Sequence, residues 1–160
     1  MTLFLRLVLI SVAWIVIQIG SGYVIHLLPQ AWFATDNGLF RARRFEREGR
    51  LYRRALLVHR WKTRLPEAGA MFAGGFSKRH LNLARSQERV TTIRRFIAET
   101  RRAELSHWLP VALSCTFFFW NPFAVAVWMP PIGLVGNLPF IIVQRTNRPR
   151  MVRLLGRVER

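Results

Sequence analysis

The ten residues ETRRAELSHW (Glu99–Trp108) mark the border between a strongly basic segment and a long apolar one. Residues 78–102 are rich in arginine, whereas residues 105–144 contain no Asp, Glu, Lys or Arg. Apolar runs of this length are typical of transmembrane helices. The chain is therefore expected to enter a membrane at this border.

The composition of the whole chain also indicates a membrane protein. Its 160 residues are 51% hydrophobic and carry a net charge of +17, a combination that soluble domains rarely show. Residues 7–28 form another uncharged apolar run, which predicts a first span at about 3–28. Arg6 lies near the N-terminal end of this span, where its side chain could reach the membrane interface. A signal peptide is the rival interpretation, but the run exceeds the usual apolar region of about 7–15 residues.

The second apolar region, 105–144, is too long for one crossing, because a helix of this length would measure about 60 Å, twice the thickness of a bilayer core. The best turn is Trp120-Asn121-Pro122, which gives spans near 105–119 and 123–143. A turn at Met129-Pro130-Pro131 is the alternative. The first of these spans is short, so a partly re-entrant arrangement stays open.

The segment between the spans is basic and amphipathic. Residues 40–65 predict surface-lying helices divided at Gly49, residues 65–75 a glycine-containing loop, and residues 80–104 a helix that continues toward His107. We therefore expect an all-α integral membrane protein with about three transmembrane helices and amphipathic cytoplasmic helices between them. The whole chain, 1–160, forms a single membrane domain.

Charge predicts the topology of this domain. The basic segment 40–104 and the basic tail 145–160 are expected on the cytoplasmic side of the cell (plasma) membrane, with the N-terminus outside, because cytoplasmic loops carry an excess of Lys and Arg. Nucleic-acid binding is the other explanation of such basicity. The arginine clusters lack a recognisable nucleic-acid-binding module, so no nucleic-acid partner is expected.

Glu104 and His107 are the first candidate catalytic residues. At i and i+3 of a helix they share a face and can touch. His107 could act as a general base on a hydroxyl, with Glu104 holding the tautomer of the ring. The alternative is an interfacial histidine beside an exposed glutamate, since pairs with this spacing are common.

The second constellation lies at the end of the last apolar run. Asn137 and Gln144 are seven residues apart and share a helix face, where polar groups in a membrane usually meet a partner or a cavity. Arg145, Arg148 and Arg150 follow, and guanidinium groups suit bidentate phosphate recognition. A membrane-anchoring basic collar is the alternative.

Four further basic or histidine side chains that could bind a ligand lie outside these two constellations. In the stretch Trp61-Lys62-Thr63-Arg64, Lys62 or Arg64 could add phosphate contacts, although a snorkelling interfacial segment is the simpler interpretation. His59 and His80 have no second ligand at metal-binding spacing, so no metal site is expected.

Four motifs together resemble the glycosyl-4,4'-diaponeurosporenoate acyltransferases. They are FE-x-x-G at Phe45–Gly49, WK-x-x-L at Trp61–Leu65, ETRRAELSHW at Glu99–Trp108 and N-x-P-x-I-I-V-Q-R-x-N-R-P-R at residues 137–150. The resemblance covers most of the chain from about residue 40 onward. The first span is similar only as a generic apolar helix.

The resemblance implies a membrane O-acyltransferase of staphyloxanthin-type carotenoid synthesis. Such an enzyme moves a fatty acyl group from an acyl thioester to a sugar hydroxyl of a lipid-linked glycoside, such as a glycosylated carotenoid. The donor would be acyl-CoA or an acyl carrier protein, and no cofactor would be tightly bound. Membrane lipids, the glycoside and a second copy of the chain are the expected partners. A non-catalytic membrane scaffold whose basic loops recruit anionic lipid or a partner enzyme is the alternative.

Acyl transfer needs a general base, hydrogen-bond donors for the oxyanion and a binding site for the anionic phosphates of the acyl donor. His107 with Glu104 could supply the base, and Asn137, Asn147 or Gln144 could donate to the oxyanion. The acyl chain would lie among Phe117, Phe118, Phe119 and Phe140. The expected substrate-binding residues are Glu99, Trp61, Lys62, Gln144, Arg145, Arg148 and Arg150.

Overall fold

A computed structural model describes residues 2–65 and 86–160 of the chain. These residues form helices and connecting turns, with no β-strand among them. The predicted glycine-containing loop falls almost wholly on residues outside the described ranges, as does His80. The α-helices in the described ranges are α1 (Leu3–Leu27), α2 (Arg50–Arg54), α3 (Val58–Trp61), α4 (Ser86–Leu113), α5 (Phe123–Ala126) and α6 (Met129–Val158).

Within the described residues, two helical segments are long and apolar enough to cross a membrane. One is α1, which matches the predicted first span, and the other is Phe123–Val158, which comprises α5 and α6. The all-helical character of the fold is thereby confirmed for the described residues. The predicted span at 105–119 is not a separate helix, because it consists of the end of α4 and a 3-10 segment, Ser114–Phe119.

Helix α4 runs without interruption across the border between the basic and apolar segments. Its 28 residues continue from Ser86 to Leu113, and a helix of this length measures about 42 Å. After the 3-10 segment the chain turns at Trp120–Pro122, as predicted. A second break at Val127–Trp128 precedes α6, whose first turn contains Pro130 and Pro131. The predicted turn at Trp120–Pro122 is thus present, whereas the alternative position, Met129-Pro130-Pro131, forms the first turn of α6 directly after the second break.

Helices α4 and α6 pack against each other in opposite directions. Glu104 of α4 contacts Arg148 near the end of α6, whereas Ser114, ten residues further along α4, lies beside Gly133 near the beginning of α6. His107 contacts Asn137 between these two points. Polar residues of the two helices consequently meet along one antiparallel interface.

Helix α1 packs mainly on α4, and its Trp14 and Gln18 side chains also reach α6, which runs in the same direction as α1. Trp14 lies against Gly133, and Gln18, one turn later, is hydrogen-bonded to Asn137, one turn after that glycine. A Cβ atom at Gly133 would lie 2.8 Å from the Trp14 ring, so a glycine is needed for this close approach. With α4 antiparallel to α6, the three long helices alternate in direction along the chain.

The segment predicted to lie on the membrane surface, residues 40–65, is more broken than the sequence suggests. A 3-10 segment, Arg44–Gly49, precedes α2, and a further break at Leu57 (φ 47°) separates α2 from α3. The predicted division at Gly49 is present, but the two predicted helices are replaced by several short turns. The reason is backbone in the left-handed region at Arg47, Glu48, Gly49 and Leu57, which cannot continue a right-handed helix.

The backbone conformation and packing of Gly49 explain why the FE-x-x-G motif ends in a glycine. Its φ of 79° favours glycine, and a Cβ atom there would lie 3.3 Å from both the Cα and carbonyl oxygen of Thr146. The absence of a side chain lets the 3-10 segment lie directly on the backbone of α6. This contact brings the neighbouring Glu46 to the interface between α4 and α6.

Candidate functional site

Glu104 is the centre of a buried charged cluster. Its side chain is fully buried, its Oε1 accepts a hydrogen bond of 2.7 Å from Nε of Arg145, and its Oε2 accepts one from Arg148. The indole of Trp108 also donates to Oε1, at 3.3 Å. One carboxylate of α4 thus pairs with two arginines of α6.

Glu46 supplies the second carboxylate of this cluster. Its Oε1 accepts from Nη1 of Arg145 at 2.5 Å and from the hydroxyl of Tyr52 at 2.9 Å, while its Oε2 accepts from the backbone N–H of Arg43 at 3.0 Å. Burial and the neighbouring Glu46 carboxylate raise the pKa of Tyr52 to about 12. The phenol therefore remains a donor at neutral pH.

Backbone carbonyls and Thr100 take the remaining guanidinium donors. Arg145 Nη2 donates to the carbonyl of Leu39 at 2.6 Å, and Arg148 donates to Phe40 O at 2.8 Å and Thr100 Oγ1 at 3.1 Å. Buried charges are tolerated when they are paired and hydrogen-bonded in this way. The cluster ties α6 to α4 and to the segment that precedes the 3-10 turn.

The structure gives Arg145 and Arg148 partners within the protein that the sequence did not suggest. The sequence suggested two cytoplasm-facing phosphate ligands, but Arg148 is buried, the side chain of Arg145 is only 10% exposed, and both are directed to carboxylates and carbonyls of the protein. Arg150 differs from them, because it is exposed. A buried carboxylate partner was not foreseen, since Glu46 lies 99 residues from Arg145 in the chain.

His107 has a different partner from the one expected. The sequence suggested that Glu104 would orient the imidazole, but Glu104 faces the arginines, and Nδ1 of His107 lies 2.8 Å from Oδ1 of Asn137. The ring also stacks on Phe140, with centroids 4.5 Å apart and planes inclined by 14°. The imidazole is half-buried and Asn137 is buried.

The hydrogen bonds of Asn137 fix the tautomer of His107. Nδ2 of Asn137 lies 2.9 Å from the carbonyl of Gly133, which can only accept, so the amide nitrogen must face that carbonyl. Oδ1 then faces His107 and accepts from Nε2 of Gln18 at 2.8 Å. Because Oδ1 cannot donate, the neutral imidazole carries its proton on Nδ1 and its lone pair on Nε2.

The other predicted site residues make contacts elsewhere. The indole of Trp61 donates to Leu56 O at 2.7 Å, and Glu99 pairs with Arg102 at 3.0 Å on its own helix. Lys62 is engaged with another group of the protein. Gln144 and Asn147 are half-buried on α6. The structure thus groups Glu104 with Arg145 and Arg148, and His107 with Asn137.

Four functional-site residues were missed by sequence reasoning. Gln18, Glu46, Tyr52 and Thr100 all hydrogen-bond directly to a predicted site residue or to its partner. A signal existed for two of them: Gln18 is a polar residue in an apolar span, and Glu46 is the acidic residue of the FE-x-x-G motif. Tyr52 and Thr100 carry no such signal.

A cavity of about 210 Å³ adjoins the charged cluster. Arg145, Arg148 and Glu46 line it, whereas His107 and Asn137 do not. The predicted site residues therefore form two adjoining clusters rather than one cavity lining. Within residues 2–65 and 86–160, no group of three or more His, Cys, Asp or Glu side chains could hold a metal ion.

Fold and site together define a helical protein with membrane-length apolar helices, a buried ionic cluster and a neutral imidazole–amide pair. Comparison with known proteins identifies the family. The family model described as glycosyl-4,4'-diaponeurosporenoate acyltransferase matches residues 29–157. The chain belongs to this family, and the resemblance seen in its motifs is confirmed.

Relatives of that name occur in Staphylococcus aureus. The chain is 30% identical over 150 residues to the glycosyl-4,4'-diaponeurosporenoate acyltransferase of strain bovine RF122 / ET3-1, which covers 94% of this chain and 88% of the relative. It is 29% identical, with the same coverage, to the protein of strain MRSA252. No solved structure gives a significant match.

Proposed function

We propose that the chain is a membrane O-acyltransferase that moves a fatty acyl group from an acyl thioester to a sugar hydroxyl of a lipid-linked glycoside. The family name favours a glycosylated carotenoid as the acceptor. The observation that carries the proposal is the hydrogen bond of 2.8 Å between His107 and Asn137. This bond leaves the lone pair of His107 on Nε2, at the interface between α4 and α6.

The proposed reaction uses His107 as base and then as acid. Nε2 takes the proton of the acceptor hydroxyl while the oxygen attacks the thioester carbonyl carbon, forming a tetrahedral oxyanion. As the oxyanion collapses, the C–S bond breaks, and the departing sulfur receives the proton from Nε2. The products are an ester and a free thiol, with no net change at the imidazole.

Asn137 supports this chemistry through the imidazole. Its Oδ1 accepts from Nδ1 of His107, so it stabilises the imidazolium formed during transfer, as the asparagine does in cysteine–histidine–asparagine sites. Its amide nitrogen already donates to Gly133. We therefore assign Asn137 to orienting His107 and propose Gln144, one turn beyond Phe140, as an oxyanion donor. Asn147 lies about 10 Å along α6 from Phe140, too far to donate to the same oxygen.

The donor is proposed to be acyl-CoA or an acyl carrier protein. Its phosphates would meet the exposed Arg150 and Arg64 together with Lys62, because Arg145 and Arg148 are occupied by carboxylates. The acyl chain would run along Phe140, which stacks on the imidazole. A homo-oligomer is compatible with this arrangement.

We further propose three membrane crossings, with the N-terminus outside and the basic segments in the cytoplasm. The parallel direction of α1 and α6 supports this topology, because two parallel spans require a return crossing between them. The apolar stretch 105–119, which comprises the end of α4 and the 3-10 segment and is antiparallel to α6, is the candidate for that crossing. The arginine-rich segments then lie on one side, in accordance with the positive-inside rule.

The experiment is expression of the chain in a bacterial host that accumulates glycosyl-4,4'-diaponeurosporenoate, followed by mass spectrometry of the membrane lipids. We expect a new species heavier by one ester-linked acyl group, absent from the empty-vector control. Purified protein supplied with acyl-CoA or acyl carrier protein would identify the donor. An unchanged lipid profile, with the protein abundant in the membrane, would contradict the proposal and favour the scaffold alternative.

A further inference from the structure

We infer that Gln18 is a positioning residue of the active site, so that α1 is part of the catalytic apparatus as well as a membrane anchor. The inference rests on the proposed role of His107. It concerns a helix that lies outside the region matched by the family model, residues 29–157. Gln18 reaches the imidazole only through Asn137.

The contact itself is short and involves the atom that holds His107. Nε2 of Gln18 donates to Oδ1 of Asn137 at 2.8 Å, and the same Oδ1 lies 2.8 Å from Nδ1 of His107. Oδ1 therefore accepts two hydrogen bonds, one from α1 and one from α4. Together with the bond from Nδ2 to Gly133 O, these contacts fix the position of the amide.

The surroundings of Gln18 favour its hydrogen bond to Asn137 in a membrane. Gln18 lies in the middle of an apolar span, on a helix surface that is exposed in the isolated chain. In a bilayer that surface meets lipid, which offers no hydrogen-bonding partner to an amide. A polar side chain at such depth is costly unless it is paired. The pairing of Gln18 with Asn137 satisfies this requirement.

Packing one turn away keeps α1 in register with the pair. Trp14 fits against Gly133, where even a methyl group would approach the indole to 2.8 Å, and the Trp14 ring also lies 5.3 Å from that of Phe117. Gln18 and Asn137 follow Trp14 and Gly133 by one helical turn on their respective helices. This register holds the two amides in contact.

The test is a double-mutant cycle on acyl transfer by the full-length membrane protein. Gln18→Leu should lower kcat about three- to tenfold, the range for loss of one neutral hydrogen bond, with little change in the KM for the acyl donor. Leucine suits a lipid-facing site, so insertion should be retained. Ser11→Ala is the matched control, because among the described residues the Ser11 hydroxyl bonds to Leu7 O of its own helix and to no other helix.

The cycle is completed with Asn137→Ala. If Gln18 acts through Asn137, adding Gln18→Leu to Asn137→Ala should cause no further loss of kcat. Additive losses, a change confined to KM, or wild-type rates in Gln18→Leu would overturn the inference. His107→Gln is measured in parallel: full activity in that variant would overturn the proposed base, whereas an inactive His107→Gln with an unaffected Gln18→Leu would overturn only the role of Gln18.

Discussion

The charged cluster around Glu104 and the neutral cluster around His107 are adjacent on α4 but differ in how their polar groups are used. Carboxylates and arginines of the first cluster are buried or nearly buried and bonded to one another and to backbone carbonyls. In the second cluster Asn137 engages Nδ1 of His107, and no described residue hydrogen-bonds to Nε2, the nitrogen proposed to act as the base. Fully paired charges hold helices together, whereas a basic nitrogen with a free lone pair can exchange a proton.

Glu104→Gln should have the largest effect on stability. It removes the carboxylate shared by Arg145 and Arg148, and leaving buried charges without a partner costs about 3–5 kcal/mol. We expect a large loss of folded protein, measured as thermal unfolding in detergent and as abundance in membranes. The control Glu99→Gln disrupts only a partly exposed pair and should cost less than about 1 kcal/mol.

A stable but inactive Glu104→Gln protein would contradict the distinction drawn between the charged cluster and the His107 cluster. It would mean that the carboxylate acts in the reaction, as the sequence spacing first suggested, rather than in holding α4 to α6.

Arg145→Lys should be the next most harmful change. Lysine keeps the charge but cannot reproduce the planar set of donors that reaches Glu104, Glu46 and Leu39 O together. A loss of about 2–3 kcal/mol in unfolding free energy is expected for a charge-assisted hydrogen bond. Arg150→Lys, at an exposed position, should unfold like the wild type; equal behaviour of the two variants would show that charge alone matters.

Gly49→Ala tests how the charged cluster is assembled. The positive φ and the close approach to Thr146 predict a loss of about 1–3 kcal/mol, measured by thermal unfolding. Gly136→Ala is the matched control, since no heavy atom lies within 4 Å of a Cβ built there and alanine is favoured in a helix interior. An unchanged melting temperature for Gly49→Ala would contradict the described contact with α6.

Tyr52→Phe should have the smallest effect, about 1 kcal/mol, because it removes one hydrogen bond of 2.9 Å to Glu46. The folded-state pKa of about 12 lies above the ordinary value of 10.0, so the phenol's contribution is present below pH 10.0 and is lost as pH rises toward about 12. The variant should unfold with a weaker dependence on pH in that window. An identical pH dependence in both proteins would exclude the contribution of Tyr52.

Local sequence patterns predicted the helices well but not the partners of the site residues. Apolar length located α1, and Asn-Pro marked the turn at Trp120–Pro122, because both signals are read from neighbouring residues. Arg145 pairs with Glu46 because the backbone at Arg47–Gly49 is left-handed and turns the chain toward α6. The spacing of arginines and apolar residues in the sequence does not reveal this backbone conformation. The helix spacing placed Glu104 and His107 on one face, yet three-dimensional packing gave each a different partner.

The most direct test of the account compares acyl transfer by His107→Gln and His59→Gln, normalised to the amount of membrane-inserted protein. His59 is exposed within residues 40–65 and serves as the matched histidine. Loss of a general base predicts a rate at least about 100-fold lower for His107→Gln, with unchanged abundance. Wild-type activity in His107→Gln, or an equal loss in both variants, would contradict the assignment of the imidazole–amide pair as the catalytic centre.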